Sequence, residues 1–352
     1  MTMNLYRCTP RQARGYVIEC LEAGLVPFLQ SSPGMGKSSI VRSIAEEHAL
    51  ILKDHRLSTS TPEDLSGLPR FDDDGKAYFA PFGDIFPLED TPLPVDKNGW
   101  LLFLDEFNSA PKSVQAASYK LILDRQVGQF NLHSNVAPVL AGNLSTDRAI
   151  TNALSTAMQS RVIHIEMEIN FDEWLEDVAL AQCYDERIIA FLNYKSSFLM
   201  DFRPDHNEKT FCCPRTWEFM NRLIKGKVIS EEKATLFAGT ITSNVAAEFV
   251  TFIKVYQNMI SLKQVLADPE NCPVPADSAT RWAVISHLMD KVEDANFGDI
   301  CTYINRFDIT FKVLFFRSVM LRNNTLRTHP AFIKAMSELS RYLNPPSQQL
   351  AA

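Results

Sequence analysis

A short glycine-containing loop between an apolar stretch and a helix-like segment restricts the fold of this chain more than any other feature. Residues 31–38 read SSPGMGKS and follow the apolar residues 25–29, with only Gln30 between them. A strand, a glycine-rich turn and a helix in this order surround a phosphate with backbone N–H groups and the positive end of the helix dipole. The pattern therefore predicts a phosphate-binding loop.

The loop residues are candidates for contacts with a nucleotide and a metal ion. The candidate nucleotide-binding residues are Pro33, Gly34, Met35, Gly36, Lys37, Ser38 and Ser39. We expect Lys37 to reach the β- and γ-phosphates and the hydroxyl of Ser38 to hold Mg²⁺. The loop departs from the consensus G-x-x-x-x-G-K-[ST] at its first position, where this chain has Ser31.

A second motif, WLLFLDE at residues 100–106, is an apolar run that ends in two carboxylates. Such a run is typical of a strand buried on both faces of a parallel sheet. The carboxylates would emerge at the carboxyl edge, where open α/β sheets bind ligands. We expect Asp105 to complete the Mg²⁺ site and Glu106 to polarise the attacking water. Either motif alone has a structural explanation, but the two in this order favour nucleotide hydrolysis.

Composition narrows the class of protein. The chain has 352 residues, 46% of them hydrophobic and 22% charged, as expected for a globular protein of two or three domains. It has no run of about 18 apolar residues, and its start lacks the apolar core of a signal peptide. These features predict a cytoplasmic protein without a membrane span.

The cysteine content and the net charge argue against further classes of protein. The seven cysteines are odd in number and form no C-x-x-C pair, so neither a disulfide framework nor a zinc site is indicated. The formal net charge of -7 argues against a surface that binds nucleic acid through bulk electrostatics.

Apolar periodicity and turn residues predict the order of elements. We expect helices at 9–24, 36–48 and 114–125, and strands at 25–29, 50–57, 100–104, 137–141 and 162–165. Strands that alternate with helices indicate an α/β fold, a mostly parallel sheet covered by helices on both faces. From about residue 171 the pattern is helical. We therefore expect an α/β core at 1–170, helical regions at 171–262 and 263–344, and a flexible tail at 345–352.

Several linked motifs resemble the AAA+ ATPases, and more narrowly the MoxR family. Residues 105–112 read DEFNSAPK and residues 115–117 read QAA, which is similar to the family motif D-E-I-N-R-x-P-P-K-x-Q-A-A-L. Asn143 ends a predicted strand, Arg161 enters the next one, and Arg215 lies in the helical region. The resemblance spans residues 9–225 and implies a P-loop (ASCE/AAA+) core followed by an all-α lid at 171–262.

The resemblance also implies roles for these residues and for two hairpins. Asn143 would orient the attacking water, Arg161 would reach the γ-phosphate of a neighbouring subunit, and Arg215 would contact nucleotide in its own subunit. Taken singly, each has a structural alternative, as a turn residue or a surface ion pair. Hairpins at 68–80 and 126–134 would face the pore or a partner. Ser109 departs from the arginine that the family usually has there.

The implied function is ATP- and Mg²⁺-dependent remodelling of a partner protein by a ring, expected to be a hexamer. A separate protein with a von Willebrand factor A domain is the implied type of partner. One alternative is a nucleic-acid motor or loader on the same core, which the acidic charge disfavours. Another is a weakly hydrolysing regulatory subunit, which Ser31 and Ser109 suggest and which Glu106 and Arg161 oppose.

Overall fold

The computed structural model describes residues 6–147 and 151–343, which form two compact units. The first unit extends to Asn170 and includes Arg203–His206, and the second contains Phe171–Phe202 and the chain from Asn207 onward. The predicted tail at 345–352 lies outside the described residues. Residues 1–5 also lie outside them, and they belong to the N-terminal segment in which we predict no signal peptide.

The elements of the first unit are, in chain order, β1 (Arg7–Cys8), α1 (Pro10–Glu22), β2 (Pro27–Gln30), α2 (Lys37–Glu47), β3 (Leu50–Arg56), α3 (Pro62–Ser66), β4 (Leu68–Phe71), β5 (Ala77–Ala80), β6 (Gly99–Asp105), α4 (Lys112–Leu123), β7 (Gln126–Val127), β8 (Phe130–Asn131), β9 (Val136–Gly142), α5 (Thr156–Gln159) and β10 (Ile163–Met167). Short 3₁₀ helices lie at Leu57–Thr59, Phe107–Ser109 and Ser145–Asp147.

A six-stranded sheet in the order β1-β10-β2-β9-β6-β3 forms the centre of this unit. Each pair of neighbouring strands is parallel, which confirms the predicted α/β fold with a parallel sheet. Strand β9 lies between β2 and β6. The phosphate loop after β2 and the carboxylates of Asp105 and Glu106 at the end of β6 therefore lie on either side of the end of β9.

The element bounds differ from the predicted ones by a few residues, for local reasons. The first long strand starts at Pro27 because the N–H of Leu25 still bonds to Cys20 O at the end of α1. Helix α4 begins directly after Pro111 and ends before Arg125, whose φ of 57° is incompatible with a right-handed helix. Strand β1 was not predicted, because two residues carry no readable periodicity.

The strands that end at the site are held by a continuous apolar core. All seven residues of β6 are buried. Phe28 on β2 packs edge-on against Phe107, with ring centroids 5.9 Å apart. Each fully buried large apolar side chain contributes about 1.5–3 kcal/mol. The ends of β2 and β6 are therefore fixed relative to each other before any ligand binds.

The two predicted hairpins form and pack against each other. Strands β4 and β5 pair antiparallel, as do β7 and β8. The rings of Tyr78 and Phe130 meet edge-on with centroids 6.3 Å apart. Gly128, with φ 60°, lies so close to the first hairpin that a Cβ there would be 3.2 Å from Phe79 Cβ. Their orientation toward a pore or a partner stays a prediction.

The second unit is helical. Its α-helices are α6 (Phe171–Trp174), which continues as a π-helix at Leu175–Leu180, α7 (Glu186–Tyr194), α8 (Pro214–Ile224), α9 (Ala234–Ile241), α10 (Ser243–Gln257), α11 (Leu262–Ala267), α12 (Ser278–Lys291), α13 (Phe297–Ile304), α14 (Ile309–Arg322) and α15 (Pro330–Leu343). Its core includes Phe191, whose ring contacts those of Trp217, Phe249 and Phe252. The division into 171–262 and 263–344 stays a prediction. Within the described residues, the helices are too short or too polar to cross a membrane.

Candidate nucleotide-binding site

The phosphate loop has the backbone geometry that anion binding requires. Gly36, directly before α2, adopts φ 88°, a left-handed conformation that glycine accommodates without strain. No side chain caps the start of this helix. The N–H groups of its first turn are therefore available to a phosphate, at the positive end of the helix dipole.

Lys37 projects from the first turn of α2 toward the ends of β2 and β9. Its Nζ donates to Ser31 O at 3.0 Å, to Ser31 Oγ at 3.1 Å and to Asn143 Oδ1 at 3.4 Å. Ser31 is fully buried, and its φ is not in the left-handed region. The loop therefore does not require the consensus glycine at this position for conformational reasons, and the serine adds an oxygen ligand for the lysine.

The side chains of Ser38 and Asp105, the predicted metal ligands, lie close together at the carboxyl edge of the sheet. Ser38 Oγ lies 3.4 Å from Asp105 Oδ2, and Asp105 is only 9% exposed. Hydroxyl and carboxylate oxygens are ligands that Mg²⁺ prefers, and adjacent octahedral ligands at about 2.1 Å lie about 3 Å apart. The oxygen pair therefore fits the ion. Burial raises the pKa of the nearby Asp54, and the carboxylate of Asp105 raises it further. Arg56 and Arg42 lower the pKa of Asp54, and a cation bound at Asp105 would further relieve the repulsion between the two carboxylates.

Glu106 has a constrained backbone and a side-chain partner. Its φ of 56° is uncommon for a residue other than glycine. Its N–H bonds to Asp105 Oδ1 at 2.8 Å, and its carboxylate accepts a hydrogen bond from the hydroxyl of Ser58. Ser58 lies in the 3₁₀ helix after β3, the strand next to β6. Sequence reasoning missed Ser58, because no local pattern links it to a residue 48 positions away.

Asn143 completes the group at the sheet edge. It follows β9, and its side-chain oxygen faces the ammonium group of Lys37. The structure therefore brings together five predicted site residues: Lys37, Ser38, Asp105, Glu106 and Asn143. Their catalytic roles stay predictions.

The other candidates are distributed differently. Met35 and Gly34 are buried in the loop, Pro33 is half-buried and Ser39 is exposed. Arg161 is exposed, and its guanidinium donates to Ala157 O on the preceding helix α5, at 2.8 Å. Arg215 belongs to the second unit, where it is exposed in the first turn of α8. The two arginines therefore stay candidates on the basis of sequence.

Ser109 stands where the MoxR motif that this segment resembles has an arginine. It is half-buried and ends the 3₁₀ helix Phe107–Ser109. Its N–H bonds to Glu106 O at 3.0 Å. The 3₁₀ helix therefore forms without an arginine at this position. The departure affects only the contact that an arginine side chain would make.

No protein-family model and no curated protein matches this chain. Solved structures with a related arrangement include the Holliday junction branch migration motor RuvB of Thermotoga maritima, with 15% sequence identity and a TM-score of 0.36 over 84% of this chain and 87% of that one. A Cytophaga hutchinsonii protein assigned as an ATPase has 16% identity and a TM-score of 0.35 over 85% and 89%. These values are too low to transfer a function.

Proposed function

We propose that this protein is a Mg²⁺-dependent ATP hydrolase of the AAA+ type, with MoxR-like organisation. The observation that carries the proposal is the convergence of Lys37, Ser38, Asp105, Glu106 and Asn143 at the carboxyl ends of β2, β6 and β9. A lysine, a hydroxyl–carboxylate pair and a second carboxylate are the groups needed to bind a triphosphate and activate water.

Each residue has a distinct task in this proposal. The amides of the loop and Lys37 bind the phosphate oxygens, and Ser38 and Asp105 hold Mg²⁺. When bound, the ion supplies positive charge against the charge that develops on the phosphates. Glu106 accepts the proton of the attacking water, and the amide of Asn143 fixes the direction of attack. The Ser58 hydroxyl holds the carboxylate of Glu106 in place.

We further propose that the active form is a ring, expected to be a hexamer, in which Arg161 completes the site of the neighbouring subunit. The exposed guanidinium of Arg161 is compatible with such a contact. An arginine beside the transferred phosphoryl group is worth roughly 10³ to 10⁵ in rate. Arg215 would contact the nucleotide of its own subunit. The driven process would be remodelling of a partner protein, with a von Willebrand factor A domain protein as the first candidate.

Two substitutions test the ATPase proposal. Lys37→Ala is expected to weaken ATP binding by more than about tenfold, because it removes the side-chain cation that the proposal places on the β- and γ-phosphates. Glu106→Gln is expected to bind ATP normally and to lower turnover by about 10² to 10⁴, because the amide cannot accept the proton. Titration with a fluorescent ATP analogue and a phosphate-release assay measure the two quantities.

Lys97→Ala is the matched control for the lysine, since Lys97 is exposed before the start of β6, at the other end of that strand. It should leave binding and turnover unchanged. Failure of the unmodified protein to bind any nucleoside triphosphate would refute the proposal. Turnover stimulated by single-stranded DNA and lost at high salt would instead favour a nucleic-acid motor.

A further inference from the structure

The side-chain amide of Asn108 holds both backbone polar groups of Asn143. Its Nδ2 donates to Asn143 O at 2.7 Å, and its Oδ1 accepts from Asn143 N at 3.1 Å. Asn108 is 5% exposed, so these hydrogen bonds are shielded from water. A paired strand would satisfy the same two groups. The pairing of β6 with β9 ends at Leu104 and Leu140, and the amide of Asn108 continues it beyond the strands.

The fit of this amide depends on the residue before Asn143. A Cβ at Gly142 would lie 2.3 Å from Asn108 Oδ1 and 2.8 Å from its Cγ, so only glycine leaves room for the amide. The carbonyl of Gly142 also accepts from Ser31 N at 3.4 Å. The same short segment thus contacts the phosphate loop and the turn that carries Asn108.

The main chain of Asn108 makes a second connection. Its carbonyl accepts from Asn152 N at 2.6 Å, and Asn152 Nδ2 donates to Ala110 O at 2.8 Å. The turn that follows Glu106 is therefore bonded to Asn143 and also to the segment that leads into α5. The short segment 106–110 therefore both carries Glu106 and fixes the position of Asn143.

We infer that Asn108 is a positioning residue for hydrolysis, which fixes Asn143 relative to Glu106 through the two amide–backbone hydrogen bonds. The inference rests on the proposed ATPase function. Asn143 Oδ1 lies 3.4 Å from Lys37 Nζ, so a displacement of its backbone moves the amide that faces the phosphate position. Misplacement of a catalytic group by about 1 Å costs roughly 10²-fold in rate.

Asn108→Asp tests the inference with little change in shape. The carboxylate still accepts from Asn143 N but places an oxygen against Asn143 O. We expect kcat to fall about tenfold to a hundredfold, by analogy with loss of the hydrogen-bonding partners that orient metal ligands. The dissociation constant for ATP should stay within about twofold, since Asn108 does not belong to the loop that binds the phosphates.

Acidification provides a readout that a structural role would not produce. In the Asn108→Asp variant, the introduced carboxyl group can again donate to Asn143 O once it is protonated. The ratio of variant kcat to wild-type kcat should therefore rise as the pH is lowered from about 8 to about 5.5. The charged groups of the site, Lys37, Asp105 and Glu106, are present in both proteins, and the wild type measured at each pH is the reference for their contribution.

Asn98→Asp is the control. The amide of Asn98 also donates to a backbone carbonyl, His48 O at 2.9 Å, but before the start of β6, at the other end of that strand. Its kcat should match the wild type at every pH. Equal kcat for Asn108→Asp and wild type would overturn this inference but not the proposed function. Loss of ATP binding together with a large drop in melting temperature would do the same. A wild-type protein without turnover would overturn the proposed function as well.

Discussion

The N–H groups of the Lys37 ammonium, which would bind a phosphate, already donate hydrogen bonds to protein oxygens. A lysine has three N–H donors, and the oxygen partners of Lys37 Nζ include Ser31 O, Ser31 Oγ and Asn143 Oδ1. Phosphate oxygens therefore compete with protein oxygens for the same protons. The serine at the consensus glycine position increases this competition.

Ser31→Ala is accordingly expected to tighten ATP binding by about twofold to tenfold. Removal of Oγ takes away one competing neutral acceptor, worth about 0.5–1.5 kcal/mol. Equilibrium titration with a nucleotide analogue measures the change. Ser43→Ala on the exposed side of α2, where the hydroxyl bonds to Ile40 O, is the control and should leave the affinity unchanged. Weaker binding by Ser31→Ala would show that the serine helps to place the lysine.

At the scale of elements, a buried ion pair at the start of α7 is also hydrogen-bonded to the end of α8. Asp185, before α7, receives two hydrogen bonds of 2.7 Å from the guanidinium of Arg187. The same guanidinium donates to Ile224 O and Lys227 O, both at 2.9 Å, at the end of α8. The side chain of Asp185 is only 6% exposed. The start of α7 is thereby fixed to the end of α8.

Arg187→Ala should destabilise the second unit by about 3–5 kcal/mol, because it leaves the carboxylate of Asp185 buried without its charged partner. Urea unfolding followed by tryptophan fluorescence measures this, since Trp174, Trp217 and Trp282 belong to that unit.

The control for this change is Arg222→Ala on α8. Its exposed pair with Glu218 lies at i, i+4 and should be worth less than about 0.5 kcal/mol. Equal destabilisation by the two alanine variants would contradict the importance assigned to burial.

The elements that sequence predicts best are those with a local cause. Thr9 and Gln12 form the capping box at the start of α1, where threonine before proline predicts a helix start. All seven residues of β6, which ends at Asp105, are buried because the strand has a neighbour on each side. The continuous apolar run in its sequence predicts this burial. The proximity of Ser38 and Asp105 at one edge of the sheet follows from the parallel topology.

The remainder of the site depends on contacts between distant segments. Ser58 reaches Glu106 only because β3 and β6 are adjacent, and the amide of Asn108 reaches Asn143 only because β9 lies beside β6. Neither contact has a fixed spacing along the chain. The MoxR-like motif indicates the position of Asn108 but not the groups it holds.

At the scale of the whole molecule, the proposed trans role of Arg161 predicts complementation between two inactive proteins. Arg161→Ala should bind ATP without turning it over, as should Glu106→Gln. In a mixed ring, a site with intact Glu106 can face a neighbour with intact Arg161. Random mixing at equal concentrations creates such pairs at about one quarter of head-to-tail interfaces.

Phosphate release from the mixture, compared with each protein alone, measures the recovery, and gel filtration with ATP checks assembly. Mixing Arg161→Ala with Lys97→Ala is the control for a simple dilution effect, because the second protein is expected to be fully active alone. Full turnover by Arg161→Ala without a partner would exclude the trans assignment.

The position of β9 between β2 and β6 has a consequence for biosynthesis. A nascent chain that has emerged only as far as residue 135 already contains the phosphate loop and both carboxylates. It lacks the strand that holds them side by side, since β2 and β6 do not pair with each other. Long-range pairing of this kind forms late, after the entropy of closing the intervening chain has been paid. Nucleotide would thus find no complete pocket during most of the synthesis of this unit, and its capture would mark a core that has finished folding.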